Sequence, residues 1–288
     1  MKLFPRIFST VFLLPGAAIL GLFFLVPLAA VMVESFAGGG RAYAQFISDP
    51  VFWKGFRGTI MLGLLSPLFS VVAGYCVATF LSRQTDRRRM AYLFFISLPL
   101  TFSGLIVAYG FILVFGRAGF ITLLAAKLGA NPATLAGFIY SPLGLGFAYS
   151  YYLIPRAVLV ILPALLNFNR DQILAARSLG ASTPAIYRDI LLPQLAPSLV
   201  TAFCLTSAVA IGAYGTALAL VGTQVNILPL LLFSKISDTG SDFPAAAAMS
   251  VVLMSICVLV IAIAEIFFSN EARLPHKGRQ ATKKAPAM

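Results

Sequence analysis

The sequence predicts an all-α fold: a polytopic membrane protein with six transmembrane helices and both termini in the cytoplasm. The 288 residues are 60% hydrophobic and only 10% charged, with a mean hydropathy of +0.94, whereas soluble domains carry about 25% charged residues. A helix needs about 20 apolar residues to cross the roughly 30 Å hydrocarbon core, and six uncharged runs are long enough. They are residues 7–33, 58–82, 90–116, 128–155, 190–234 and 243–264.

The distribution of Lys and Arg predicts the orientation, because short cytoplasmic loops retain positive charge. Of the 21 Lys and Arg residues, 14 fall on the side of both termini and 6 on the other, with Arg156 left aside as intramembrane. The net charge of +12 therefore reflects topology. No soluble domain is predicted that could carry the basic face of a nucleic-acid-binding protein, so no nucleic-acid partner is expected.

The uncharged runs place the helices in order. The six helices are predicted at about residues 8–33, 59–82, 91–115, 138–161, 197–221 and 245–268. The first is too long for the apolar core of a signal peptide and no clean cleavage site follows it, so it is predicted to be retained. Four prolines are predicted to mark ends or breaks of the fourth and fifth helices, because proline cannot continue the helical hydrogen bonding. They are Pro155, Pro163, Pro193 and Pro197.

The fourth helix also contains a tyrosine cluster, of which at least one member is expected to pack against a neighbouring helix. The cluster is Tyr149, Tyr151 and Tyr152.

The connections between the helices are short. The external ones are residues 34–57, 117–137 and 222–244. None is long enough for a folded domain, so a solute captured outside must be delivered by another protein. In the first, Trp53 is predicted to be an interfacial anchor, and in the second, residues 121–128 are predicted to form a short amphipathic helix. The cytoplasmic turn at 82–89 holds four arginines that fix the topology.

Two classes of membrane protein are disfavoured because the chain lacks the residues that their chemistry needs. The first, a secondary carrier that is not coupled to ATP, is kept as the alternative function. Such a carrier normally places an Asp or Glu near the membrane midplane to bind its driving ion. Here Glu34 and Glu265 lie at the ends of the predicted helices. A membrane-embedded enzyme needs a nucleophile and base, or a metal cluster, at one depth. The only histidine, His276, lies in the C-terminal tail, and the three cysteines show no metal-ligand or disulfide spacing.

One cytoplasmic connection, at about residues 164–196, is longer than helix pairs usually need. Its sequence predicts two short helices. The first ends at Gly180, because glycine takes the left-handed conformation of a C′ residue at no steric cost. The second begins with Ser182 or Thr183 as N-cap and Pro184 as first helical residue, and ends at the following proline.

This connection resembles the EAA loop in the membrane subunits of binding-protein-dependent ABC importers. The residues that fit the pattern are Ala175, Ala176, Gly180, Ile190, Leu192 and Pro193. It also lies between the fourth and fifth of six helices on the positive side, as in that family. Leu174 stands where the family usually has Glu, so a charged contact to the ATPase is either missing or supplied by Asp171.

The resemblance implies a permease subunit of the bacterial inner membrane that is not itself an enzyme. The implied ATPase-coupling residues are Ala175, Ala176, Gly180, Ala181, Ser182, Ile190, Leu192 and Pro193. The chain has no G-x-x-x-x-G-K-[ST] loop, so ATP is bound by a partner subunit and this chain carries no cofactor and no metal. The implied partners are ABC ATPase subunits, a second permease that is identical or homologous, an external solute-binding protein and membrane lipid.

The resemblance also implies a domain plan and a substrate group. The plan is residues 1–56 for the first helix and external segment, 57–266 for the transport core and 267–288 for a basic cytoplasmic tail. Residues 210–216 and 242–247 are similar to the subgroup that handles polyamines, ferric iron, phosphonates, sulfate and thiamine. The solute is expected to be polyamine-like or to be an anion such as a phosphonate or sulfate.

Three residues are candidates for the solute pathway, each with an alternative. Arg156 either contacts an anionic solute or extends its side chain to the cytoplasmic interface. Gly212 belongs to a set of small residues that either borders the pathway or permits close helix packing. Tyr214 either presents its ring to a cation or packs in the core.

Overall fold

The computed structural model describes residues 15–129, 131–222, 225–237 and 242–272, and these form helices with no β-strand. In chain order, α1 to α13 are Pro15–Ser35, Arg41–Ser48, Pro50–Ser82, Asp86–Ser97, Gly104–Phe115, Phe120–Lys127, Pro132–Ile139, Pro142–Leu166, Asp171–Ser178, Thr183–Ile211, Tyr214–Val221, Leu228–Ser237 and Phe243–Ala272.

The prediction of six membrane-spanning helices is confirmed. Within the described residues, six helical stretches are long and apolar enough to cross a membrane. They are α1, α3, α5 together with α6, α8, α10 and the part of α13 up to Ala264. A short helix, α6, is present where residues 121–128 were predicted to form one, but it continues the apolar stretch of α5, so its amphipathic character stays a prediction.

The chain divides into two compact units that are discontinuous in sequence. Unit 1 comprises Met1–Leu65, Ser103–Tyr149 and Ile211–Cys257, and unit 2 comprises Ser66–Phe102, Ser150–Ala210 and Val258–Met288. The described residues of all three predicted external connections belong to unit 1, and the two predicted cytoplasmic connections belong to unit 2.

Unit 2 has a core built from α3, α8 and α10. The buried residues of this core are Val71, Ala78, Leu81, Ala157, Val158, Ile161, Leu162, Leu165, Leu191, Leu195 and Ala202. Gly74 on α3 permits this packing, because a Cβ built there would lie 2.7 Å from the Cβ of Ala157 on α8. A side chain at this position would force the two helices apart.

Unit 1 is held together by close contacts between short and long helices. A Cβ at Gly58 on α3 would lie 2.3 Å from the backbone oxygen of Asn226, just before α12. At the next residue, the buried Thr59 hydroxyl oxygen accepts a hydrogen bond of 2.8 Å from the backbone nitrogen of Leu228. Thr59 therefore caps α12 from a neighbouring helix, satisfying one of the donors that a helix N-terminus leaves free.

The structure contradicts the prediction that four prolines mark helix ends or breaks. Pro155 and Pro163 lie inside α8, and Pro197 lies inside α10. Pro193, expected to end a short second helix, also lies within the continuous α10, directly after a π-helical turn at Tyr187–Leu191. Packed neighbours and local π turns satisfy the backbone groups that proline frees in membrane helices, so proline alone does not end a helix here.

The predicted third helix, at residues 91–115, is interrupted. Helix α4 passes into a 3₁₀ turn at Leu98–Thr101, and α5 starts anew after Ser103, whose hydroxyl oxygen accepts from the backbone nitrogen of Ile106 at 3.5 Å. The turn contains Pro99. A serine N-cap after a proline-containing turn is a start signal that the uncharged run concealed.

The second predicted helix begins earlier than its uncharged run. Helix α3 starts at Pro50 rather than near residue 59, and the carboxylate of Asp49 accepts from the backbone nitrogen of Val51 at 2.8 Å. Asp followed by Pro is a typical N-cap and first-residue pair. Trp53 consequently lies in the first turn of α3, half exposed, with its indole nitrogen donating to the Ile47 carbonyl at 2.9 Å.

Candidate functional site

The segment at residues 164–196, called here the EAA-like segment, belongs to unit 2. Its first helix, α9, begins where the side-chain oxygen of Asn169 accepts from the backbone nitrogen of Asp171 at 2.9 Å. Asp171 occupies the first turn and Arg177 the last turn of α9. Both charges have the sign that the helix dipole favours at their ends.

Gly180 ends α9 in a Schellman motif. Its φ is +79°, its backbone nitrogen donates to the Arg177 carbonyl at 2.9 Å, and the nitrogen of Ala181 donates to the Ala176 carbonyl at 3.0 Å. These two hydrogen bonds satisfy carbonyls that a helix C-terminus otherwise leaves unpaired. The prediction that Gly180 is the C′ residue is confirmed.

Helix α10 starts two residues after this turn. Ser182 has an extended backbone at the N-cap position, and its carbonyl accepts from the backbone nitrogen of Ile186 at 3.0 Å. Of the two predicted N-cap residues the structure selects Ser182, whose side chain makes no capping hydrogen bond. Pro184 is the second helical residue rather than the first. Between the two helices only three residues, Leu179 to Ala181, lack helical structure apart from this cap.

Contacts of side chains hold the EAA-like segment to its unit. A guanidinium nitrogen of Arg170 donates to the Ser82 carbonyl, the last of α3, at 3.3 Å. The amide of Gln194 on α10 donates to the amide oxygen of Gln172 on α9. Leu191 is 8% exposed and belongs to the core of unit 2.

The predicted coupling residues differ in exposure. Ala175, Gly180, Ser182, Leu192 and Pro193 are exposed, whereas Ala176, Ala181 and Ile190 are partly buried. The five coupling residues from Ala175 to Ser182 are close together along the chain. The remaining three lie about 12 Å or more further along α10, at a rise of about 1.5 Å per residue.

Sequence reasoning missed the residues that anchor the segment. Ile186, Leu191 and Leu195 are all buried, at 3%, 8% and 1% exposure. Their spacing of five and then four residues matches one face of a helix that contains a π turn, a pattern that a regular helical period does not produce.

Two leucines in the EAA-like segment are exposed apolar residues. Leu174, which stands where the family usually has Glu, is 59% exposed, and Leu179 is 88% exposed. Both lie outside the six stretches that could span a membrane. The contact with an ATPase subunit that the resemblance implies would cover both side chains.

The predicted fifth helix is broken at Gly212 and Ala213, between α10 and α11. Gly212 is exposed. The fully buried Tyr149 on α8 donates its hydroxyl hydrogen to the Ala213 carbonyl at 2.9 Å. This bond ties the side chain of Tyr149 to the backbone at the break. The expectation that at least one tyrosine of helix four packs against a neighbouring helix is confirmed.

Tyr214 begins α11 and lies in unit 1 with Gly212. Its ring is partly buried, and its centroid is 4.9 Å from that of Phe233 on α12. Nearby, a Cβ at Gly104 on α5 would lie 2.4 Å from the Thr216 hydroxyl oxygen. Helices α5 and α11 therefore approach closely, as the packing interpretation of this small-residue region predicts.

Arg156 lies in unit 2, within the interior of α8. Its guanidinium carbon is 5.7 Å from the centroid of the Tyr152 ring, a cation–π distance, and the residue is partly buried. Helix α8 continues for ten residues beyond Arg156, or about 15 Å at 1.5 Å per residue.

No group of His, Cys, Asp and Glu in the described residues could hold a metal ion.

Comparison with known proteins identifies the family. The model of the family described as "Binding-protein-dependent transport system inner membrane component" matches residues 70–270. The chain is 26% identical to the sulfate transport system permease protein CysW of Synechocystis sp., over 89% of this chain and 93% of that protein. It is 27% identical to the thiamine transport system permease protein ThiP of Escherichia coli, over 86% of this chain but only 45% of that longer protein.

A solved structure has the same fold. A chain in the crystal structure of a bacterial alginate ABC transporter, in complex with an alginate pentasaccharide-bound periplasmic protein, superposes with a TM-score of 0.75. The two chains are 17% identical, and the match covers 95% of this chain and 99% of that one. The predicted resemblance is confirmed: this multi-pass inner-membrane protein belongs to the family of binding-protein-dependent transport system inner membrane components, the permease subunits of ABC importers.

Proposed function

We propose that the permease receives the movement of an ABC ATPase at the EAA-like segment and converts it into opening of a pathway for an oxyanion such as sulfate. The observation that carries the coupling proposal is the Gly180 turn. It joins the exposed α9 to α10, a continuous helix of 29 residues that includes a membrane span. A displacement of the turn is thereby applied to one end of a membrane helix.

The predicted coupling residues fall into three groups with distinct roles. Ala175, Ala176 and Gly180 present little side-chain volume, so the surface of an ATPase subunit can approach the backbone closely. Ala181 and Ser182 form the connection that passes the displacement to α10. The third group lies within the π turn (Ile190) or just after it (Leu192 and Pro193), where the helix can bend. ATP is bound and hydrolysed by the partner subunit.

Leu174 changes the character of the ATPase contact. With an exposed leucine where the family usually has a carboxylate, the partner surface opposite α9 is apolar at this point. Asp171, in the first turn of α9 and exposed, supplies the acidic contact instead. A matching ATPase therefore has its basic residue displaced by about one helical turn.

The complete importer contains a second permease and an external binding protein. The solved alginate transporter includes a periplasmic protein that carries its solute, which supports delivery from outside in this system as well. Rocking of the two permeases between outward-open and inward-open states then moves the solute across.

An oxyanion is the solute that the side chains and the relatives support together. Relatives with names of sulfate permeases cover most of this chain. Arg156 is a partly buried cation on α8. Among the described residues, no carboxylate forms an ion pair with it, so its charge is available to an anion. A polyamine would be repelled at this position.

Uptake of radioactive sulfate into vesicles tests this function. The permease is reconstituted with its ATPase and binding protein, and Arg156→Gln is compared with Arg156→Lys. We expect sulfate uptake to fall about 10- to 100-fold in the Gln variant, because a hydrogen bond to a charged group contributes roughly 1.5–3 kcal/mol, and to recover partly in the Lys variant. Equal uptake by wild type and Arg156→Gln, or transport of spermidine instead of sulfate, would refute the oxyanion assignment.

A further inference from the structure

Helix α4 presents an exposed apolar face that no part of the transport proposal uses. Residues 87, 90, 91, 94 and 95 are spaced by three and four positions, so they share one side of the helix. Met90 is 71% exposed, Phe94 62% and Phe95 66%. With Asp86, Arg87 and Ala91, these three side chains line a shallow surface cavity of about 590 Å³.

The polar end of this cavity is positively charged. Asp86 is its only carboxylate, and it forms an ion pair with Arg89, so its charge is compensated. Arg87 lines the cavity and Arg88 is exposed beside it. Among the described residues neither guanidinium forms an ion pair. An occupant of the cavity therefore meets unpaired positive charge at one end and apolar side chains at the other.

The length of the face matches one leaflet of a bilayer. From Arg87 to the exposed Leu98 is about 16 Å at 1.5 Å per residue, and half of the hydrocarbon core is about 15 Å. We propose that this face binds an anionic phospholipid, with the phosphate at Arg87 and Arg88 and an acyl chain along Met90, Phe94 and Phe95. The lipid belongs to the leaflet on the arginine-rich side, predicted to be cytoplasmic.

Charge argues against a second copy of this chain as the occupant. A copy has 9 acidic residues against 21 basic ones, so a second chain brings more positive than negative charge to the arginines. A zwitterionic lipid fills the apolar part equally well, but it does not compensate the two arginines. Basic clusters at the end of a membrane helix favour anionic headgroups for this reason.

Lipid binding by the purified permease tests the proposal. Phosphatidylglycerol and phosphatidylcholine are titrated and the bound lipid is counted by native mass spectrometry. The variant Arg87→Gln/Arg88→Gln is compared with Arg117→Gln/Lys127→Gln, which removes the same charge from exposed positions outside the face. We expect about fivefold weaker phosphatidylglycerol binding for each arginine removed, hence about thirtyfold for the double variant, and little change in the control. Equal binding of both lipids by wild type, or an equal loss in both variants, would overturn the proposal.

A fluorescence measurement tests the position of the acyl chain without removing charge. The only tryptophan, Trp53, is replaced by Trp53→Phe and a new probe is introduced by Phe95→Trp. Phosphatidylglycerol with brominated acyl chains is expected to quench this probe at lower mole fractions than brominated phosphatidylcholine. Identical quenching by the two lipids indicates bulk lipid contact, and no quenching by either indicates that protein covers the face. Both results contradict the proposal.

Discussion

Gly180 carries the backbone conformation on which the proposed coupling depends. At a φ of +79°, a β-branched side chain suffers a steric conflict of roughly 1–2 kcal/mol or more, whereas asparagine tolerates the left-handed region. Because both Schellman hydrogen bonds require this conformation, the direction in which the chain passes from α9 to α10 depends on this residue.

We predict that Gly180→Val uncouples ATP hydrolysis from transport. The valine strains the turn and shifts α9, so the partner ATPase hydrolyses ATP without moving α10. The measurement is the ratio of solute uptake to phosphate release in vesicles, which is expected to fall at least tenfold. Gly180→Asn serves as the matched control and is expected to retain most of the coupling. Normal transport by the valine variant would show that Gly180 is not the joint.

Tyr149 stabilises the helix break from a distance of 64 positions in sequence. Tyr149→Phe removes this hydrogen bond to the partly buried Ala213, at a net cost of about 1 kcal/mol. We predict a lower midpoint of thermal unfolding in detergent for this variant. Tyr109→Phe, at a position that is 55% exposed, is the control and is expected to leave the midpoint within experimental error. Similar midpoints for both variants would mean that the hydrogen bond does not stabilise the break.

These two residues differ in how far the sequence could predict them. Gly180 follows a helical pattern and precedes a Ser-Thr-Pro start signal, so local sequence alone indicated its role. The partner of Tyr149 is a backbone carbonyl on another segment. A backbone group has no sequence signature, so the tertiary fold was needed to find this contact.

At the scale of elements, helix boundaries were the least predictable feature. Uncharged runs locate apolar segments, but they do not contain the local signals that start and stop helices. Asp49 with Pro50 begins α3, and Ser103 after a proline-containing turn begins α5. The interruption at Gly212 and Ala213 lies inside an uncharged run of 45 residues, where no charged residue marks it.

Helix α12 depends on the close approach of α3. Gly58→Ala places a methyl group against the backbone oxygen of Asn226, 2.3 Å from the Cβ position, which cannot move away as a side chain can. We predict a destabilisation of about 1–3 kcal/mol, measured by thermal unfolding of the purified permease. Gly110→Ala, where nothing lies within 4 Å of the new Cβ, is the matched control and is expected to be neutral or slightly stabilising. Equal stability of the two variants would contradict the packing described for unit 1.

At the scale of the whole molecule, hydropathy and charge were sufficient for the architecture. The bilayer demands helices of a minimum length, so counting uncharged runs predicted the six spans that the structure contains. Short helices such as α2, α7 and α12 have eight to ten residues and contribute too little to such a count. These short helices are seen only in the three-dimensional structure.

The function of the whole molecule also follows from one exposed segment rather than from an enclosed site. The EAA-like segment combines a turn with defined hydrogen bonds, small exposed residues and two exposed leucines. In the proposed function, these exposed positions contact the partner ATPase. The contact between the EAA-like segment and the ATPase is therefore the central claim about this molecule.

Photo-crosslinking from this segment in the native membrane tests that claim most directly. A photoreactive amino acid replaces Leu179, which is 88% exposed. In a separate control variant it replaces Leu113, which is 73% exposed on α5. After purification in mild detergent, the crosslinked partners are identified by mass spectrometry. We predict that an ABC ATPase subunit is crosslinked from residue 179 and is not crosslinked from residue 113. A chain that purifies alone, with no ATPase crosslinked at residue 179, would contradict it.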